Sequence, residues 1–181
     1  MCIRDRLILN GDTGALNDYT YYNPPGNPFI INAATGITVC FSANHTWVSD
    51  LGFYLVGPPS CGSPIIELAG NPGVNCNDDN NIDNLCFSTA AAQVYNTCNH
   101  NQPGAVGQPE TGIWASSDPW DAIYGCDANA AGWKVMIYDC VGLDVGALTH
   151  ASIQFVGFAD CGPSIITYDS GPINSTINDN S

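Results

Sequence analysis

The run Ile37-Thr38-Val39-Cys40-Phe41 decides the fold class of this chain. Large apolar side chains stand at every second position, which is typical of a strand with one buried face. The same alternation recurs in three further runs: Leu51, Phe53 and Leu55; Trp133, Val135 and Ile137; and Ile153 with Phe155. Gly- and Pro-rich turns separate these runs, and long helical patterns are scarce. Many short strands without helices between them predict an all-β sandwich or barrel.

The charge balance restricts the partners of this protein. Among 181 residues, 17 are Asp or Glu and 3 are Lys or Arg, which gives a net charge of -14. Such a surface repels phosphate, so nucleic acids and anionic membranes are poor partners, whereas divalent cations are favourable ones. No stretch approaches the ~20 consecutive apolar residues that a membrane helix needs. The sequence therefore predicts no nucleic-acid binding and no membrane span.

Composition divides the chain into four parts. Residues 1–6 hold two of the three basic side chains and differ from everything that follows, so we treat them as an extraneous leader. Residues 7–30 are rich in Asn, Tyr and Pro and predict a lead-in segment. Residues 31–160 carry the strand patterns and predict the domain. Residues 161–181 turn polar and predict a linker into a further module, so we interpret the chain as part of a longer protein.

The cysteines indicate an oxidising compartment. Apart from Cys2 there are eight of them, an even number: Cys40, Cys61, Cys76, Cys86, Cys98, Cys126, Cys140 and Cys161. No close C-x-x-C pair is present, so disulfides are favoured over a zinc site. We predict disulfides, and hence an extracellular or cell-surface location. The short spacing between Cys76 and Cys86 predicts a local bridge across one loop.

An acidic, Asn-rich loop covers residues 75–84. Its carboxylates Asp78, Asp79 and Asp83, with the neighbouring amides, are oxygen ligands of the kind that calcium prefers. The spacing is not that of an EF-hand, which places Gly at the sixth position and Glu at the twelfth. A weak calcium site and a solvated, disulfide-tethered loop are the two interpretations.

Catalytic machinery is not evident in the sequence. Asp12-Thr13-Gly14 matches the way aspartic proteases present a carboxylate, but that chemistry needs two such groups and the chain has one copy. The histidines do not stand in motifs with a nucleophilic serine. We interpret the tripeptide as a turn and predict no catalytic residue.

Two separated blocks resemble a known family. The first, residues 45–58, reads His-Thr, three residues, Asp-Leu, and then a strand that ends in Gly57-Pro58. The second begins at Gly132-Trp133 and continues through a strand to Asp139. It then contains an Asp-x-Gly-x-Leu element, residues 144–148, and ends with a strand to Phe155-Val156-Gly157. Together they resemble the P domain (P/Homo B domain) that follows the catalytic domain in subtilisin-like proprotein convertases.

The resemblance covers roughly residues 31–158 and implies a fold and a role. It implies a jelly-roll β-sandwich, P-domain-like or galactose-binding-like, that is itself non-catalytic and stabilises or contacts its neighbouring domains. The many cysteines and scarce basic residues differ from the convertases and favour a secreted or surface multi-module protein. The alternatives are the accessory domain of a subtilisin-like serine endopeptidase, and a carbohydrate- or protein-binding adhesion module.

Individual residues of these blocks invite specific predictions. Asp50, Asp139 and Asp144 lie at strand ends or in adjoining turns, so converging ends predict a structural calcium at that rim. The alternative is that each carboxylate caps a turn. We expect His45 to hydrogen-bond within its loop and Trp133 to fill the core. Three tryptophans in less regular segments are candidates for ligand contact or for buried plugs: Trp47, Trp114 and Trp120.

Overall fold

The computed structural model describes residues 16–20, 28–70, 81–95, 109–139, 146–159, 162–173 and 175–177. Within these ranges the chain forms ten strands and three short 3-10 helices. The strands are β1 Leu16–Thr20, β2 Gly36–His45, β3 Leu51–Val56, β4 Ile65–Ala69, β5 Ile82–Ser88, β6 Glu110–Trp114, β7 Lys134–Asp139, β8 Gly146–Ala159, β9 Gly162–Asp169 and β10 Ser175–Ile177. The 3-10 helices are Val48–Asp50, Pro59–Cys61 and Trp120–Ile123.

The strands form two sheets packed as a sandwich, which confirms the predicted all-β fold. One sheet has the order β1-β7-β3-β4, and the other has the order β10-β8-β2-β5-β6. The long strand β8 pairs with β2 along one edge and with both β9 and β10 along the other. All pairs are antiparallel except β5 with β6.

The core lies between the sheets, where the alternating residues of both meet. In β2 the predicted inward residues Ile37, Val39 and Phe41 are almost completely buried. Phe41 contacts Phe53 of β3 with ring centroids 5.4 Å apart, so the two sheets meet directly through aromatic side chains. Trp133 is fully buried and packs 4.9 Å from Phe155, which confirms its predicted core position.

Strands β3 and β7 are buried on both faces, so the predicted half-burial is wrong for them. Besides the core residues, a second apolar cluster lies on the outer face of their sheet, formed by Tyr54, Val56, Met136 and Tyr138. Each of these residues is at most 8% exposed. Apart from Lys134 and Asp139 at the two ends of β7, the residues of both strands are largely apolar in both alternating sets, and a continuous apolar run is typical of a strand covered on both sides.

The sandwich is larger than the predicted domain of residues 31–160. Strand β9 pairs with β8 from Ala159↔Gly162 to Ser152↔Asp169. Its Tyr168 is 6% exposed, and the hydroxyl donates to the carbonyl of Ala128 at 2.5 Å. The linker predicted for residues 161–181 is therefore wrong over β9 and β10, because both complete the sheet beside β8. From the lead-in segment, β1 pairs with β7, while residues 1–6 lie outside the described ranges.

Two disulfides are formed among the cysteines that the structure describes, and one predicted bridge is wrong. Cys40 of β2 is bonded to Cys86 of β5, directly opposite in the sheet. Cys61, in the turn after β3, is bonded to Cys126. Cys86 therefore cannot bridge to Cys76 as its short spacing predicted, because β2 and β5 lie side by side. The remaining predicted disulfide cysteines, Cys76, Cys98, Cys140 and Cys161, lie outside the described residues.

Candidate functional site

A histidine and an aspartate occupy core-facing positions at one end of the sandwich. Along β2 the inward positions end at His45, and along β7 they run Val135, Ile137 and then Asp139. The two side chains come from different sheets and meet across the end of the core. Because both side chains are 0% exposed, neither carries its polar atoms to water, and each needs an internal partner.

The two side chains satisfy each other. Nε2 of His45 lies 3.2 Å from Oδ2 of Asp139. Nδ1 lies 3.1 Å from the backbone N–H and 2.9 Å from the carbonyl oxygen of Trp47. A neutral ring accepts the Trp47 N–H at Nδ1, and a protonated ring donates to the carbonyl instead. In both cases Nε2–H donates to the Asp139 carboxylate, and both ring nitrogens are used.

Asn81 fixes the backbone of His45. The His45 N–H donates to the Asn81 side-chain oxygen at 3.1 Å, and the Asn81 N–H donates to the His45 carbonyl at 2.9 Å. Asn81 has a φ of 69°, a left-handed conformation that asparagine tolerates better than most residues. Its own carbonyl accepts the N–H of Glu110, which is also buried. Sequence reasoning placed Asn81 in a candidate calcium loop and missed this role.

Gly146 leaves room for the His45 ring. The two residues are paired between β2 and β8. A β-carbon built on Gly146 would lie 2.5 Å from Cδ2 of His45 and would also overlap the carbonyl oxygen of Asn44. Glycine is therefore required for space at the centre of the Asp-x-Gly-x-Leu element. In this way His45, Asp139 and Gly146 bring the two sequence blocks of the resemblance into direct contact.

Two other glycines of the second block also have a steric reason. Gly132 has a φ of 98°, and a β-carbon there would lie 2.8 Å from the ring of Pro59. A β-carbon at Gly157 would overlap the ring of Phe29. These two glycines serve a backbone turn and close packing, because no side chain fits where they lie.

The arrangement is unsuited to nucleophilic catalysis. A general base needs a ring nitrogen free to take a proton from a nucleophile, and it needs access for substrate. Both nitrogens of His45 are engaged and the pair is fully buried. Ser49 lies four residues after His45; its hydroxyl is buried and forms no hydrogen bond with any residue that the structure describes. The geometry is instead that of a buried structural pair that joins the two sheets.

The predicted calcium ligands are only partly described. Leu51, at the start of β3, pairs with Asp139, at the end of β7. The backbone of Asp50, which precedes Leu51, therefore lies at the same end of the sandwich as Asp139. The side chain of Asp50 lies outside the described residues, as do Asp144, Asp78 and Asp79. Asp83 is described and its side chain is exposed near the start of β5. In the described part of the chain, no cluster of three or more candidate metal ligands is present, and calcium binding stays a prediction.

The three less regular tryptophans are half-buried. Trp114 and Trp120 pack against the core. Trp114 also contacts Tyr95, with ring centroids 5.7 Å apart. The indole N–H of Trp114 donates to the carbonyl of Thr111. Trp47 contributes its backbone to the site, with a side chain of intermediate exposure. None of the three is a fully exposed platform of the kind that binds sugar rings.

A second His–Asp pair lies on the surface. Nε2 of His150 is 2.9 Å from Oδ1 of Asp169, with side chains 35% and 58% exposed. The backbone N–H of Gly171 and then the hydrogen bond with His150 lower the pKa of the Asp169 carboxyl below its ordinary value. The pair resembles His45–Asp139 in geometry and differs in burial, so it serves as an internal comparison.

Comparisons with known proteins give no relative: no family model, curated protein or solved structure matches the chain. Among the described residues, no helix is long and apolar enough to cross a bilayer.

Proposed function

We propose that this chain is a non-catalytic, P-domain-like β-sandwich module of a larger secreted or cell-surface protein, with a stabilising or interaction role. The observation that carries the proposal is the buried contact between His45 and Asp139, 94 positions apart in the chain. The two residues come from the two separate blocks on which the P-domain resemblance rests. Their contact gives those blocks a common purpose, which is to join the sheets at one end.

Burial and bonding support a structural role for the motif residues. A buried hydrogen-bonded pair loses stability when one partner is removed, because the other is left without its partner inside the core. The steric requirement for glycine at Gly146 adds a third motif position whose role is packing against His45. Three motif positions thus contribute to the fold itself, as expected of a module that stabilises.

The disulfides support the proposed extracellular location. Cys40–Cys86 links neighbouring strands, and Cys61–Cys126 links segments 65 residues apart. Such bonds persist in oxidising compartments and are rare in the cytosol. A calcium ion at the rim or in the loop of residues 75–84 belongs to the same proposal, since calcium commonly hardens extracellular modules.

An accessory domain of a subtilisin-like endopeptidase is the alternative within the same resemblance. The two proposals differ in what flanks the module in the intact protein: a catalytic Asp-His-Ser domain, or further non-catalytic modules.

Chemical denaturation of the motif variants tests the structural role. We expect His45→Ala and Asp139→Ala each to unfold at a clearly lower urea concentration than the wild type, with an unchanged slope. Equal urea midpoints for all three proteins would contradict a stabilising role for the contact between His45 and Asp139.

A further inference from the structure

Strand β9 differs from β4 and β6, two other edge strands, because no segment that the structure describes pairs with its outer edge. At β4, the N–H groups of Ser117 and Asp118 bind the carbonyls of Leu68 and Glu67. At β6, Val94 forms a bridge with Ala115. In contrast, β9 pairs with β8 alone among the strands that the structure describes. An uncovered edge offers a row of unpaired N–H and C=O groups to another strand.

The hydrogen-bond pattern shows which groups of β9 face away from β8. Ser170 donates its N–H to the carbonyl of Ala151 at 3.0 Å. In an antiparallel ladder the hydrogen-bonded positions alternate, so the backbone N–H and C=O groups of Tyr168 and Ile166 also face β8. The N–H and C=O groups of Ile165, Thr167 and Asp169 therefore point outward. Pro163 falls on the same outward set, where its missing N–H costs the β8 ladder nothing.

Every residue of β9 before its last position is uncharged. Ile165 is 61% exposed, and Thr167 is also exposed. Asp169, at the end of the strand, is the one charged residue in Gly162–Asp169. In a chain of net charge -14, this edge is a place where two copies can approach without placing acidic side chains opposite each other.

We propose that β9 pairs antiparallel with β9 of a second copy across a two-fold axis. An edge whose outward groups recur at every second residue is complementary to itself in this orientation. With the axis at Ile166, Ile165 of each copy lies opposite Thr167 of the other and is covered by it. The six-stranded sheets of the two copies then join into one continuous sheet, and the pairing closes at a dimer.

This register also separates the charges at the ends of the strands. The two Asp169 side chains lie six strand positions apart, about 20 Å at the usual rise per residue. That exceeds the Debye length of about 8 Å at physiological ionic strength, so their repulsion is largely screened. The repulsion between the two acidic bodies remains. Dimerisation should therefore strengthen with added salt, whereas binding of a basic peptide at this edge would weaken.

Sedimentation velocity of the full chain at several concentrations tests the proposal, in a Cys2→Ser background that excludes dimers linked through that thiol. We expect a monomer–dimer equilibrium that shifts toward dimer in high salt. Thr167→Pro removes an outward N–H and leaves the β8 ladder intact, so its dissociation constant should rise at least about tenfold. Thr167→Val is the matched control: it loses the same hydroxyl contact with Gln154 but keeps the N–H, and it should dimerise like the wild type.

Three results would overturn the proposal. They are a monomer at every concentration and salt, a dimer that weakens with salt, and a Thr167→Pro protein that dimerises as well as Thr167→Val. If Thr167→Pro does not fold, Ile165→Asp replaces it, because it places a carboxylate opposite the partner strand. Loss of the dimer in that variant supports the pairing, and an unchanged dimer contradicts it.

Discussion

Replacement of Asp139 by alanine should destabilise the fold strongly. The change leaves Nε2–H of His45 at 0% exposure without its acceptor 3.2 Å away. An unsatisfied buried donor costs about 1–3 kcal/mol, and breaking a buried pair from one side costs about 3–5 kcal/mol. We expect a loss of about 3 kcal/mol. For a chain of this size that corresponds to a fall in Tm of about 6–12 °C.

A double-mutant cycle isolates the contact from the loss of packing. Urea denaturation of Asp139→Ala, His45→Ala and the double variant should give a coupling free energy of about 1–2 kcal/mol. Asp139→Asn keeps an acceptor oxygen and should lose less than Asp139→Ala. The surface pair supplies the control: His150→Ala breaks a contact of 2.9 Å between exposed side chains, and it should change the midpoint little.

Loss of the buried pair should destabilise the protein more than loss of the exposed pair. A Tm of Asp139→Ala equal to that of the wild type, or equal losses for Asp139→Ala and His150→Ala, would show that the buried contact does not join the sheets. Additive losses in the cycle would show that the two side chains stabilise the protein separately.

Three further predictions concern packing, calcium and acid. Gly146→Ala should cost about 1–3 kcal/mol in urea denaturation because its new methyl group would overlap His45; Gly36→Ala, whose β-carbon would have ordinary contacts at 3.5 Å, should change little. Calcium in hundredfold excess over its Kd should stabilise the protein by about 2.7 kcal/mol relative to chelator; loss of the Tm shift in Asp144→Ala would place the site at the rim, and no shift in the wild type would contradict calcium binding. The pKa of Asp169 is lowered in the folded protein, so its ionised carboxylate stabilises the fold above the carboxyl's ordinary pKa. That stabilisation is lost as the pH falls through the lowered pKa, so Asp169→Asn should show a shallower loss of stability below about pH 4. Parallel curves of stability against pH for the variant and the wild type would contradict this.

Period-two patterning predicted strands well where one face is apolar. It found β2 and the centre of β8, because their alternate residues differ in polarity. It predicts half-burial for β3 and β7 when only one alternating set of residues is considered. Tyr54 and Met136 belong to the other set and are as apolar as the residues counted. The signal for two-sided burial was thus present in the sequence as an uninterrupted apolar run.

Long-range pairings were beyond reach of the local sequence. The bridge Cys40–Cys86 spans 46 residues and follows from β2 lying beside β5, which spacing cannot reveal. His45 was correctly expected to bond within its loop through Trp47. Its second partner, Asp139, required knowledge that the two strands end at the same place. The alternation of inward and outward side chains along a strand predicts that a side chain points into the core, but it does not predict which residue lies opposite.

The end of the domain was misplaced for a compositional reason. The stretch Cys161-Gly162-Pro163 contains glycine and proline, which are frequent in turns and loops, and it therefore favours a linker. The following run Ile165-Ile166-Thr167-Tyr168 is rich in strand formers and forms the centre of β9. A proline on the outward edge of a strand is compatible with pairing on the other side. A glycine followed by a proline therefore does not by itself mark the end of the domain.

Disulfide mapping of the unreduced protein tests whether the chain is a disulfide-linked two-sheet module of an oxidising compartment. Lys134 is the only lysine or arginine after Arg6, so trypsin is unsuitable, and pepsin at low pH both cleaves the chain and limits exchange between disulfides. We expect linked peptides for Cys40 with Cys86 and for Cys61 with Cys126. A peptide linking Cys76 to Cys86, or free thiols at these four positions, would contradict the strand arrangement and the proposed location.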